Sequence, residues 1–96
     1  MRTYEHDLTP VLFEQVTVGA TAVGITPPAG SLMALIQVKA QPVVWRDDGT
    51  APTGTVGHDA PVGTILEAYG SSAGSIQFIR TGTDSTLNVT YYGNKQ

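Results

Sequence analysis

Chemistry in this chain could come from two His-Asp doublets, His6-Asp7 and His58-Asp59, and from the pair Asp47-Asp48. A neutral imidazole beside a carboxylate is a common metal-ligand set. No third cluster stands at ligand spacing, so two exposed polar pairs are the commoner reading. Asp47 and Asp48 could offer oxygens to calcium, but the acidic alternation of a calcium loop is missing. Turn capping, with pairing to Arg46 or Arg80, accounts for them more simply, and such exposed pairs add little stability.

A hydrolase would need Glu14 and Glu67 a few ångström apart in a cleft. Strand alternation puts both on apparent outward faces, where a solvated carboxylate is the usual occupant. Ser31, Ser71, Ser72 and Ser75 lie in Gly-rich turns without a nucleophile elbow. The stretch 70–74 has no Lys after it, as a phosphate loop requires. Trp45, Tyr69, Tyr91 and Tyr92 could stack on sugar rings. The plainer reading makes Trp45 and Tyr91 core, and Tyr69 and Tyr92 half-buried strand residues. Tyr and Trp also favour protein interfaces. The expectation is a chain without catalytic residues, cofactor or metal ion.

Composition narrows the partners. The 96 residues carry 5 basic and 8 acidic side chains, a net charge of -3. The basic residues Arg2, Lys39, Arg46, Arg80 and Lys95 are scattered, whereas phosphate binding wants several on one face. Nucleic acid is therefore not an expected partner. Only 14% of residues are charged, against about 25% in an average domain. A surface of small neutral side chains suits packing against other protein chains. No cysteine is present, which excludes disulfides and thiolate sites. No apolar run reaches the ~18 to 20 residues of a membrane helix. Residues 1–10 have no apolar segment of the signal-peptide kind, so use without Sec export is expected.

The elements that position these residues follow from period-two patterning. Leu32, Ala34, Ile36, Val38 and Ala40 alternate with Met33, Leu35, Gln37, Lys39 and Gln41. The first set is apolar throughout and the second turns polar after Leu35, which predicts a central strand over 32–41 with one covered face. Pro42 predicts a kink where the chain changes neighbours. Further strands are expected at 11–19, with a bulge near Gln15, and at 20–25, 43–46, 65–69, 75–80 and 86–92. Leu87, Val89 and Tyr91 of the last should face the core. Residues 47–50 read as a turn with Gly49 at positive φ. Residues 51–61 read as a surface loop, 70–74 as a flexible turn, and 1–10 as a polar arm outside a domain of 11–96. About seven short strands separated by Gly, Pro, Ser and Asp turns predict one all-β domain. Its class is an antiparallel β-sandwich of jelly-roll or Greek-key type.

From Trp45 onward the order of motifs becomes specific. WRDDGTAPT (45–53), Val56-Gly57, IQFIR (76–80) and TLNVTYYG (86–93) follow one another. This order resembles small β-structured virion proteins of tailed bacteriophages, over about the C-terminal half. Gln77 departs from the pattern, since such sequences often carry Lys there, so a charge contact at that strand is not carried over. The resemblance implies a non-enzymatic structural protein of the virion, made in the host cytoplasm. A capsid decoration or cement protein, associated with the head, would fit. It would act by self-association, with a trimer favoured, and by docking on other virion subunits, the major capsid protein foremost. The motif places Trp45, Arg46, Asp47, Asp48, His58, Phe78, Arg80, Tyr91 and Tyr92 as its structural or interface residues. The alternative is a carbohydrate-binding or receptor-recognition module of a phage fibre or tail.

Overall fold

The computed structural model describes residues 8–94. Its elements are β1 (Leu8–Val18), β2 (Val23–Gly24), β3 (Ser31–Lys39), β4 (Val43–Arg46), β5 (His58–Ala60), β6 (Ile65–Tyr69), α1 (Ser71–Ser75), β7 (Gln77–Arg80) and β8 (Ser85–Asn94). They form two antiparallel sheets of four strands, ordered β1-β8-β3-β6 and β2-β7-β4-β5. The first strand pairs with the last, the second with the second from last, and so inward to β4 and β5. The chain is thus one long hairpin folded double, its successive strand pairs laid alternately into the two sheets. The all-β antiparallel expectation holds, with eight strands rather than seven.

Alternation supplies the core. Ala34, Ile36 and Val38 of β3 and Leu87, Val89 and Tyr91 of β8 point inward and are buried, with Val18 of β1. They meet Val43, Ala60, Ile76 and Phe78 from the other sheet. Burying a side chain of this size contributes about 1.5 to 3 kcal/mol.

The change of sheet falls where Pro42 predicted it, and its mechanism is tighter than a kink. Ala40 has φ 74°, and the Gln41 N–H donates to the Lys39 carbonyl at 2.8 Å. That is a γ-turn of the rarer, positive-φ kind, a strained conformation for a residue with a Cβ. Buried Ser85 holds it: its Oγ lies 2.6 Å from the Lys39 and Gln41 carbonyl oxygens and accepts the Gln41 N–H at 3.3 Å. Because of this turn β3 ends at Lys39, and Ala40 is exposed rather than core.

Other boundaries move for stated reasons. Of the residues assigned to an arm at 1–10, Leu8, Thr9 and Pro10 belong to β1 and pair with Asn94, Gly93 and Tyr92 at the end of β8. Pro10 is tolerated because β1 is an edge strand, where a missing N–H costs no ladder bond. Residues 1–7, with His6 and Asp7, lie outside the described residues. The bulge of β1 falls between Pro10 and Leu12, not near Gln15. The loop assigned to 51–61 contains β5, which pairs with β4 from Val43↔Ala60 to Trp45↔His58. The turn assigned to 70–74 includes a helical turn, and it displaces the start of β7 from Ser75 to Gln77. The chain reaches it through Gly70 at φ 56°.

Candidate functional site

The motif residues meet at one end of the β2–β7–β4–β5 sheet. Trp45 stands opposite Phe78 on one side and His58 on the other. Its ring centroid lies 4.7 Å from that of His58, with the planes tilted by 38°. Trp45 is half-buried against the core and Phe78 is fully buried. Arg46 next to it forms a fork on Asp48, Nε to Oδ1 at 3.1 Å and Nη2 to Oδ2 at 2.5 Å. These bonds, with the Thr50 N–H, hold the Asp48 carboxyl below its ordinary value and raise that of Arg46. Asp47 accepts the Ser72 hydroxyl at 3.1 Å, tying the turn to α1.

Gly57 closes this end. It has φ 143°, and a Cβ there would stand 2.5 Å from Val44 Cγ1 and 2.9 Å from the Trp45 carbonyl oxygen. Only glycine lets the returning chain lie this close on Val44. The result is an open cleft of about 440 Å³ lined by Arg46, Asp47, Asp48, Val56, Gly57 and His58. Five predicted residues therefore converge here: Trp45, Arg46, Asp47, Asp48 and His58. The other four are elsewhere. Phe78 is core, Arg80 pairs with Asp84 at 2.6 Å, Tyr91 is core, and Tyr92 lies on the opposite sheet.

Among the described residues the carboxylates stand apart from one another, the neighbours Asp47 and Asp48 excepted. His58 and Asp59 are successive strand residues and face opposite ways. Among the described residues, no three His, Cys, Asp or Glu side chains cluster as metal ligands would. Glu14, assigned outward, instead faces inward and accepts the buried Tyr91 hydroxyl. Tyr91 in turn accepts the Thr26 N–H at 3.1 Å. Burial first, then the Glu14 contact, pushes the Tyr91 hydroxyl above the ordinary phenol range. Glu67 sits on the outer face of the same sheet and accepts the Tyr69 hydroxyl at 2.8 Å. Glu14 and Glu67 are therefore separated by the sheet itself.

That outer face is the other candidate. Register lays its side chains in rows across β1, β8, β3 and β6: Phe13, Thr90, Leu35 and Glu67 in one, Gln15, Asn88, Gln37 and Ile65 in the next. A third row holds Pro10, Tyr92, Met33 and Tyr69. Phe13, Ile65 and Tyr69 remain 57%, 58% and 57% exposed. Two adjoining hollows run across the face, sharing Leu35; one is lined by Phe13, Ile65 and Thr90 among others, the other by Leu8, Met33 and Tyr92. Glu67 is the one charge in these three rows, and Lys39 stands at the end beyond them. Phe13, Leu35 and Ile65 were missed as site residues. Their signal was the apolar start of the second alternating set, Met33 and Leu35, on a face read only as turning polar. The chain matches no family model, no curated protein and no solved structure.

Proposed function

We propose that this chain is a non-enzymatic structural protein of a bacteriophage virion, of the head-associated decoration or cement type. It works by burying protein surface against copies of itself and against other virion subunits, with the major capsid protein as the expected partner. The observation that carries the reading is the outer face of the β1–β8–β3–β6 sheet. It presents Phe13, Leu35, Ile65 and Tyr92, with Thr90, Gln15, Asn88 and Gln37 between them and with Glu67 and Lys39 as its charges among the described residues. Exposed apolar side chains gathered on one sheet face, with polar groups among them, suit contact with another protein surface. Four strands of about eight residues make a face of roughly 500 Å² in projection. Side-chain relief raises its accessible area toward the ~800 Å² that one side of a standard interface buries. A low-charge protein surface is the occupant such a face fits.

The strand order gives separate support. A hairpin folded double, with its pairs shared alternately between two sheets of four, supports reading the domain as a jelly roll, an architecture that viral capsid domains use. The motif order from Trp45 to Gly93 adds the resemblance to phage virion proteins. The glycan-binding alternative draws on one observation: Phe13, Tyr69 and Tyr92 share a sheet face. Thr90, Glu67, Gln15, Asn88 and Gln37 lie in or beside their rows and could hydrogen-bond a sugar, but the rings are set apart in different rows and make no single stacking platform.

Mass spectrometry of particles purified from a culture producing the phage tests the reading. The chain should appear in stoichiometric amounts relative to the major capsid protein. Its absence from intact particles would overturn the assignment, and glycan-array binding would then be the outcome to look for.

A further inference from the structure

We infer that two copies of this chain pair antiparallel through β1, about a two-fold axis passing at Gln15. The pairing joins two four-stranded sheets into one of eight strands. It rests on the self-association in the proposed function, and it assigns a two-fold partner where the resemblance implies a three-fold one.

The four sheet edges are not alike. β2 and β5, the edges of one sheet, have two and three residues. Such shortness is one of the ways natural edges avoid pairing with other chains. β6, one edge of the other sheet, has five residues and runs directly into α1. β1 is the remaining edge, at 11 residues. Among the described residues no strand lies on its far side, so alternate residues turn their N–H and C=O groups to solvent.

Most of the usual protections of an edge occur at the start of β1, and the inward-pointing Glu14 is the one such device beyond it. Pro10 and the bulge before Leu12 are both there. From Leu12 to Val18 the sequence is LFEQVTV, without Pro, Gly, Lys or Arg. Its single charge, Glu14, points inward to Tyr91. A segment of this length, with high β-propensity and little charge, is what pairs readily with another strand.

Register selects the axis. With Gln15 opposite its own copy, Phe13 faces Thr17, Glu14 faces Val16, and Leu12 faces Val18. All seven residues are then used, and none falls in the bulge. Moving the axis to Glu14 sets two carboxylates directly opposite, which is unfavourable. Moving it to Phe13 drives the partner into the bulge. Moving it to Val16 brings Leu12 opposite Ala20, beyond the end of β1. The Gln15 register also matches polar amide with polar amide on the outer face, and it runs each Phe13 row, which ends in Glu67, into the partner's Thr17 row, which holds Lys39.

The chain has no cysteine, so single cysteines report the register. Gln15→Cys in the full chain places two thiols opposite each other within reach of a disulfide. Thr17→Cys places them roughly 14 Å apart, four residues along the strand. Mild oxidation should convert Gln15→Cys to a covalent dimer and leave Thr17→Cys largely uncrosslinked. Gln15→Lys, at an exposed position, should keep the circular dichroism of the native chain and weaken dimerisation several-fold by light scattering. Equal crosslinking of both cysteine variants would overturn the register. A wild-type trimer in which Gln15→Cys does not crosslink would overturn the pairing and leave the virion reading standing. A wild-type monomer at every concentration would overturn it as well, while the particle measurement would still decide the virion assignment.

Discussion

The two sheets of this sandwich turn different surfaces outward. On the β2–β7–β4–β5 sheet the outward residues include Val44, Arg46, Asp59, Gln77 and Ile79. Val44 is fully buried there, because the chain folds back and lays Gly57 on it. Charges at the rim are paired, Arg46 with Asp48 and Arg80 with Asp84. On the β1–β8–β3–β6 sheet Phe13 and Ile65 stay more than half exposed. One sheet is finished by its own loop, and the other keeps exposed apolar side chains among the described residues. The difference separates what the motif residues do from what the unfinished face does. Trp45, Arg46, Asp47 and Asp48 stand together at the closed hairpin end, whereas the association proposed above rests on the outer face, where Tyr92 is the one motif residue.

The largest expected effect breaks the comparison at its root, the shared core. Phe78→Ala should cost about 3 to 5 kcal/mol in urea unfolding, through lost burial and the cavity left behind. A cost near zero would mean that the two sheets are not packed through Phe78. The next tests the covered sheet. Gly57→Ala should cost about 1 to 3 kcal/mol, since φ 143° is unfavourable for a Cβ and Val44 would have to move. Thermal unfolding checks it, and an unchanged midpoint would mean that the loop does not lie on Val44 as described.

The sequence made the closed half of this arrangement legible and the open half less so. Inward alternation in β3 and β8 named Ala34, Ile36, Val38, Leu87, Val89 and Tyr91 correctly, because burial on one face demands period two. β4 and β6 were placed to the residue by their flanking breakers. The γ-turn at Ala40 was not legible, since no local propensity favours positive φ at alanine. Ser85 and the crossing of sheets impose it from outside. β5 was hidden in a stretch rich in Gly and Pro, because three residues carry too little pattern and only pairing with β4 makes them a strand. Glu14 was put on the wrong face. Its partner Tyr91 is far away in sequence, and no local signal marks a carboxylate as the acceptor of a buried hydroxyl. The outer face was half legible: Met33 and Leu35 stood in the sequence as apolar positions on the side expected to be polar. Register across four strands was needed to bring Phe13, Ile65 and Tyr69 beside them.

A smaller effect comes from the inner side of the open sheet. Tyr91→Phe removes the donor to Glu14 and the acceptor of the Thr26 N–H, and should cost about 1 to 3 kcal/mol. Its pH dependence sharpens the test. The folded chain holds the Tyr91 hydroxyl protonated above the unfolded value near 10. The corresponding stability is fully present below pH 10 and is lost as the pH rises from there toward the folded value. Urea midpoints of the native chain should therefore fall above pH 10 more steeply than those of Tyr91→Phe. Parallel curves would mean that the hydroxyl titrates in the fold as it does in the open chain.

The smallest effect on folding belongs to the open face itself. Phe13 is more than half exposed, so Phe13→Thr removes little buried surface and keeps a residue that strands favour. Its unfolding free energy should change by no more than about 0.5 kcal/mol. The same substitution should weaken association measurably by light scattering, because Phe13 stands both in the apolar row and opposite Thr17 across the proposed axis. The contrast with Phe78→Ala is the point of the pair: two phenylalanines, one on each side of the comparison, with stability following one and association the other. If Phe13→Thr instead lowers the unfolding midpoint as much as a core truncation does, β1 depends on that ring for its own packing. The outer face would then belong to the fold, and the surface that meets other subunits would have to be sought at the Arg46 to His58 end.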